Sequence, residues 1–434
     1  MSTTTASPSP APAGIPADSA PAVPRAPRPL RVLYLWDADY PWDVRTEKVC
    51  AALTQAGHSV HIVARNRERR PLVEQLPEGT VHRMPPWRLV GRKLDALLGF
   101  PAFFNPRWIS LLAATIRRER PDVIIVRDLP LCPTALQAGR RAGLPVVLDM
   151  AENYPAMMRE LWETGRQRPI DWLVRNPAAV SWIERRCLPR LDAVITVVEE
   201  SSERVAELGV PADRLTVVSN TPPWARAAGT VERRRRDGEP MDVVYLGLLE
   251  LHRGLGELVE AAALLRDDGV PVRVRIVGGG RDETILRELA RTHGLGEELV
   301  RFYGRVSHAE ALRLIESADV GIVPHRADES WNTTIPNKLF DYMAVGLAVV
   351  ASDARPTARV VRETGAGLVF RSGDARAIAD ALRQLADPAV RDAHARAGRE
   401  AVRSRYHWER DVEALLRVVD RVATSHPSST FART

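Results

Sequence analysis

Lys338 and Asp341 stand three residues apart in Trp331-Asn-Thr-Thr-Ile-Pro-Asn-Lys-Leu-Phe-Asp-Tyr-Met-Ala-Val-Gly-Leu-Ala-Val-Val-Ala-Ser352, which places an ammonium and a carboxylate on about the same face of a helix. The flanking residues specify that helix. Pro336 suits a first turn, where a missing N–H costs nothing, and Gly346 suits the end, so residues 337–345 are expected to be helical. The polar loop ahead of it leaves the N-terminal N–H groups facing outward beside Lys338, an arrangement that binds anions. A carboxylate at Asp341 accepts from two sugar hydroxyls while the lysine and helix end meet phosphate. The pair therefore suits a sugar joined to a phosphate.

The elements that position such a site are those of an α/β protein. From Arg31 short apolar runs alternate with helical stretches, the order that builds a parallel sheet with helices on both faces. Strands are expected at 31–36, 59–64, 123–127, 146–149, 193–198 and 215–218, and again at 243–246, 272–276, 319–323, 347–351 and 368–370. Ligands of such sheets sit beyond the C-terminal strand ends. With 434 residues there is room for two domains, each with its own core. The expected division is a loose Pro/Ala/Ser tail (1–30), a first Rossmann-like domain (31–220), a linker (221–240), a second Rossmann-like domain (241–405), a last helix (406–423) and a tail (424–434).

A net charge of +6 suits anionic nucleotides or an anionic membrane surface. Nucleic acid is not expected, since the longest basic block is Arg233 to Arg236 and no zinc, helix-turn-helix or RNA-recognition signature is present. Cys50, Cys132 and Cys187 are too few and too scattered for a disulfide framework or metal knuckle, so reduced thiols in a cytoplasmic setting are expected. No run approaches the length of a membrane span, and the N-terminus lacks the apolar core of a signal peptide.

Ile335-Pro-Asn-Lys-Leu-Phe-Asp-Tyr-Met343 resembles the donor-binding segment of the retaining family 4 (group 1) glycosyltransferases of the GT-B type, in which two Rossmann-like domains face each other across a cleft. The resemblance covers about residues 31–420. It implies that Asp341 grips the ribose of a nucleotide and that the loop at Thr333 and Thr334 meets the donor sugar. The family's commonest form carries two glutamates where this chain has Thr333 and Asp341. Gly247-Leu-Leu-Glu-Leu-His-Arg-Gly254 resembles the family's turn with two basic residues that neutralise the donor diphosphate; Arg253 fills the second position, but Leu248 fills the first. Lys338 or Arg45 is then the candidate for the missing cation. Gly278-Gly-Gly280 matches the family's glycine turn, with Gly279 at its centre, and Arg305 and Val306 fall where relatives hold the base through backbone groups. His325 lies on the loop leading into the donor segment.

In the first domain the resemblance points to Met150-Ala-Glu-Asn-Tyr-Pro155 as the loop facing the reaction centre, with Glu152 and Asn153 as catalytic candidates. A carboxylate there could orient or deprotonate an acceptor hydroxyl, or simply cap the next helix. Asp128 lies on the same rim, and Arg45 enters the first helix as a possible cation. Asp37 and Asp39 form an Asp-x-Asp pair of the kind that holds a divalent ion in single-domain transferases, but they follow the very first strand, and neither metal nor other cofactor is expected. Trp87 to Trp108 (with Arg88, Arg92, Lys93, Phe100, Phe103 and Phe104) and Trp162 to Arg190 mix rings with arginines. Such stretches are either core or a surface for anionic lipid.

The expected activity is transfer of a sugar from a nucleoside diphosphate sugar to a hydroxyl acceptor, a lipid-linked saccharide being favoured, by a cytoplasmic protein peripheral to the membrane. A nucleotide-sugar epimerase of the same architecture and a non-catalytic nucleotide- or sugar-binding module are the alternatives.

Overall fold

The computed structural model describes residues 26, 28–41, 43–87, 103–163, 172, 175–229 and 239–426. Two sheets organise them. The first comprises β1 (Arg31–Asp39), β2 (Ser59–Arg65), β3 (Val73–Leu76), β4 (Gly79–Arg83), β5 (Val123–Arg127), β6 (Val146–Met150), β7 (Ala193–Thr196) and β8 (Leu215–Val217), in the order β3-β4-β2-β1-β5-β6-β7-β8. The second comprises β9 (Met241–Leu246), β10 (Val272–Val277), β11 (Val300–Gly304), β12 (Val320–Val323), β13 (Ala348–Ser352) and β14 (Gly367–Phe370), ordered β11-β10-β9-β12-β13-β14. Every pairing is parallel except β3 with β4. Chain order therefore reverses between β1 and β5 in one sheet and between β9 and β12 in the other, and crevices open at such reversals.

Each sheet is covered on both faces. Val123-Ile-Ile-Val-Arg127 is buried at every position, because helices pack above and below it. The β3–β4 hairpin was not expected. Its first strand is half exposed and carries Glu74 and Gln75, so it lacks the apolar run that marked the others. Residues 1–25, 27, 42, 88–102, 164–171, 173–174, 230–238 and 427–434 lie outside the described residues, which includes most of the two expected tails, the basic block and much of both aromatic stretches.

The stretch read as a linker contains a helix, Trp224–Ala228, with Ala227 fully buried. The last helix, Trp408–Ser425, returns to the first domain and buries Val412, Leu415, Val418, Val419 and Val422 among Val32, Tyr34 and Ile125. Each such side chain contributes about 1.5–3 kcal/mol relative to exposure, enough to hold the helix there. Its start also binds the interdomain connection: Trp408 N–H donates to Pro222 C=O (2.9 Å), while Asp411 accepts from Ser219 N–H (3.1 Å) and the Thr221 hydroxyl (2.5 Å).

Candidate functional site

Beyond the C-terminal ends of β9 and β10 two glycine turns interlock. Gly278 has φ 134°, and a Cβ there would lie 1.9 Å from Gly247 C=O. Gly247 itself has φ 147°, and its Cβ would come within 2.8 Å of the Lys338 ammonium. Backbone and lysine can approach this closely only because no side chain stands between them. Gly279 packs against Arg305, whose Cγ would be 2.9 Å from an added Cβ; Arg305 is exposed and Val306 half-buried beside it.

Lys338 is buried, its Nζ 3.9 Å from the Tyr245 ring centroid and without a hydrogen-bond acceptor. Burial, then the charge of Arg253, pushes its pKa well below the usual lysine range. Arg253 ends the turn Leu251–Arg253, lies 5.3 Å over the Trp331 ring, bonds Glu250 at 3.3 Å and sits 3.5 Å from His325 Nε2. A guanidinium only donates, so His325 Nε2 accepts and Nδ1 carries the hydrogen. That Nδ1 is buried and has no acceptor either. Burial and the cations of Lys338 and Arg253 push the imidazole well down, so it is neutral.

The helix bearing Lys338 is shorter than expected, Lys338–Ala344. Three N–H groups of its first turn are occupied: Leu339 donates to Pro336 C=O (3.1 Å), and Phe340 and Asp341 donate to Asn337 C=O (3.0 and 3.2 Å). The positive charge at this helix end is carried by the side chains of Lys338 and Arg253. Asp341 meets the domain connection, where its Oδ1 pairs with Arg226 at 2.5 Å. Lys48, held by Asn220 Oδ1 (3.0 Å) and Thr221 C=O (2.5 Å), adds positive potential there.

Thr333 and Thr334 do not offer free hydroxyls. Thr333 Oγ1 accepts from Asn153 Nδ2 (3.1 Å) and donates to the loop carbonyls of Glu329 or Ser330, while Thr334 Oγ1 donates to Ala151 C=O (3.1 Å). Both belong to the seam between domains. Asn153 is spent at both ends, since its Oδ1 caps the Tyr154–Glu163 helix at Ala156 N–H (3.2 Å). Ser330 N–H to Glu160 (3.0 Å) and Arg159 to Glu329 (2.5 Å) extend the seam.

Arg45 is likewise reassigned. Its Nε and Nη2 bond Asp149 Oδ1 (2.8 and 2.5 Å) and its Nη1 bonds Val218 C=O (3.0 Å), and with the side chain buried it serves the interior of the first domain. Of the two candidates for the cation missing at Leu248, only Lys338 stands at the turn. Asp37 and Asp39 are each paired with an arginine, Arg65 (2.6 Å) and Arg67.

A cleft of about 1080 Å³ separates the domains, lined from one side by Asp128, Glu152 and Tyr154 and from the other by Glu250, Arg253 and Trp331. Glu152 has no hydrogen bond or ion pair among the described residues. Burial, then the negative charge of Asp128, raises its pKa to about 7 despite Arg127 and Arg253. Asp128 adopts φ 59° and ψ 175°, a conformation costly for a side chain with a Cβ, and is held by Arg127 (2.5 Å) and Ala151 N–H (2.9 Å). It shapes the loop that presents Glu152.

The aromatic stretches divide. Trp108 is core, fully buried under Arg65, whereas Trp87, Phe104, Trp172 and Trp182 are exposed. Phe104 and Trp182 border a second groove of about 480 Å³ with Arg140, Arg141, Arg186 and Arg190. Lys48, Arg226 and Tyr245 were not singled out in the sequence, because their partners lie far along the chain.

Two family models match the chain: "Glycosyl transferase 4-like domain" at residues 42–221 and "Glycosyl transferases group 1" at residues 240–387. A phosphatidyl-myo-inositol mannosyltransferase of Mycobacterium leprae is 37% identical over 185 residues, 42% of this chain and 47% of that protein, so the chain spans about half the length of this relative. A glycogen synthase of Mycobacterium tuberculosis is 27% identical over 310 residues, 70% of each chain. Among solved structures, the sucrose-phosphate synthase of Thermosynechococcus elongatus superposes with a TM-score of 0.71 at 19% identity, covering 91% of this chain and 100% of that one. The Anabaena protein HepE in complex with UDP does so with 0.65 at 16% identity and coverage of 91% and 100%. With a family 4 domain on each side of the cleft, the chain belongs to the group 1, family 4 glycosyltransferases and has their two-domain GT-B fold.

Proposed function

We propose that this glycosyltransferase moves a sugar from a nucleoside diphosphate sugar to a hydroxyl acceptor, with retention at the anomeric carbon and without a metal ion. The observation that carries the reading is the pair of buried donors lacking acceptors, the Lys338 ammonium and His325 Nδ1–H, gathered around Arg253. A buried charge without a counter-charge costs several kcal/mol, which a diphosphate at this point would offset. As the bond to the sugar breaks, negative charge grows on the departing diphosphate. Cations already fixed there stabilise that charge without reorganising. Glu152 lies on the opposite wall with a carboxyl that titrates near neutrality, suited to orient the acceptor hydroxyl or take its proton.

Relatives that act on phosphatidyl-myo-inositol or build glycogen, and a neighbour solved with UDP, support a nucleotide donor and a hydroxyl acceptor. The acceptor side of the cleft includes Trp36, Phe103, Met157, Leu161 and Val180, an apolar wall that favours a saccharide or polyol carried on lipid. The arginine-lined groove at Trp182 suits an anionic membrane surface. No helix among the described residues is long and apolar enough to cross a membrane.

The test is turnover of uridine, guanosine, adenosine and thymidine diphosphate sugars, with and without chelator, against lipid-linked and soluble acceptors. Asp341→Ala and Arg253→Ala should abolish transfer in folded protein; full activity in either rules out the donor site. Product stereochemistry by NMR decides retention, and sedimentation with anionic against neutral liposomes decides the membrane surface.

A further inference from the structure

We propose that Arg226, on the short helix between the domains, is a positioning residue that holds Asp341 oriented and charged for the hydroxyls of the donor ribose. The inference rests on the donor-site reading above and adds to it a residue from the interdomain connection. Arg226 Nη1 lies 2.5 Å from Asp341 Oδ1, and both side chains are about a quarter exposed, 23% and 26%. Asp341 Oδ2 accepts no hydrogen bond among the described residues. A carboxylate offers about four lone-pair directions. Arg226 uses one of them and leaves the second oxygen open to a diol.

The arginine reaches Asp341 from a fixed base. Trp224 N–H donates to Glu409 (2.9 Å), Arg399 Nε donates to Ala227 C=O (2.9 Å), and Ala227 is fully buried. The charged groups facing Asp341 come from three elements: Arg226, Lys48 of the first domain and His308 at the start of the helix after β11. Lys48 is already bonded to Asn220 and Thr221, so the direct hydrogen bond to the carboxylate is that of Arg226. Burial pushes the Asp341 carboxyl up, and Arg226 first, then Lys48, oppose the shift. A protonated Asp341 loses an acceptor for ribose hydroxyls, so removing Arg226 should weaken nucleoside binding and make it fail at a higher pH.

The experiment is calorimetric titration of the full chain with uridine, guanosine, adenosine and thymidine diphosphates, and with inorganic pyrophosphate as a probe lacking ribose, between pH 5 and 8. Arg226→Gln should weaken the preferred nucleotide by about tenfold or more, the scale of one charge-assisted hydrogen bond, leave pyrophosphate binding unchanged, and shift the acid limit of binding upward. Arg226→Lys should restore most of both effects, which a purely structural arginine would not do. Unchanged or tighter nucleotide binding in Arg226→Gln, with Asp341→Asn weakened, overturns the role of Arg226 alone. No nucleotide binding to the unaltered chain, or full binding in Asp341→Asn, overturns the donor site and this inference together.

Discussion

The Lys338 ammonium rests 3.9 Å from the Tyr245 ring centroid with no anion to meet it. Such an arrangement is tolerated for what it binds, since an uncompensated buried charge destabilises the unliganded fold. Lys338→Met keeps the apolar stem and removes the charge. The variant should melt as high as the parent or a few degrees higher, about 1 kcal/mol of gain, while losing at least about tenfold in diphosphate affinity. Thermal melts with and without nucleotide measure both; a variant that is destabilised and still binds normally sinks the assignment.

The same lysine predicts proton uptake on binding. Burial and Arg253 lower its pKa, and a diphosphate restores it. Above the pKa of the free site, nucleotide binding should take up a fraction of a proton, and affinity should fall as pH rises. Calorimetry in two buffers of different ionisation enthalpy reads the uptake directly. Lys338→Met should abolish it.

Glu152 and Arg253 share the cleft from opposite walls, with the Glu152 carboxyl raised to about 7. If the carboxylate is the working form, kcat/KM should rise with pH through that region and level off above it. Glu152→Gln should flatten the acid limb and lower the rate about 10²–10⁴-fold, the usual worth of a general base. Nucleotide binding should be retained, which separates loss of chemistry from loss of the donor site.

Arg45 makes the opposite prediction. With Tyr34 O–H, it satisfies the buried Asp149, so Arg45→Ala strands a carboxylate inside the first domain and should cost about 3–5 kcal/mol of stability. Arg253→Ala should leave the melt nearly unchanged and remove activity. Asp149 is pushed up by burial but held low overall by Arg45 and Arg127, so its contribution to stability is present above the unfolded value and fades as pH falls through the folded one. Denaturant melts from pH 3 to 7 should show this limb in the parent and lose it in Arg45→Ala.

The contrast between these two arginines shows what was legible in the chain. Buried parallel strands announce themselves as apolar runs, and Val123–Arg127 has the expected bounds because helices cover it on both faces. Arg253 was found through a local turn. The role of Arg45 depends on Asp149, 104 residues away, and no local pattern reports such a pairing. The same holds for Thr333 and Thr334, whose hydroxyls are committed to Asn153 and Ala151 of the other domain. The first strand of the β3–β4 hairpin escaped because it lies at the sheet edge, where a strand need not be apolar.

The seam itself carries the last prediction. Across the seam, Ser330 N–H donates to Glu160 of the first domain (3.0 Å) and Trp331 N–H donates to Asp328 of the second (2.9 Å), and the negative charge of Asp328 acts on Glu160. Neighbouring carboxylates repel each other when both ionise, so one holds its proton to higher pH. Burial and the Asp328 charge raise Glu160 to about 7, so its proton is retained below that and lost above it. The neighbouring Arg159–Glu329 pair adds charge nearby, and burial pushes the His252 imidazole below its ordinary range, so it does not neutralise the acids as the pH rises. The closed arrangement should therefore weaken as pH rises through neutrality, with the cleft opening and the radius of gyration growing. Small-angle scattering from pH 5.5 to 8.5 measures the transition, and Glu160→Gln, which keeps a hydrogen-bond donor and cannot ionise, should remain closed throughout. Identical pH responses in the two proteins would place the switch elsewhere.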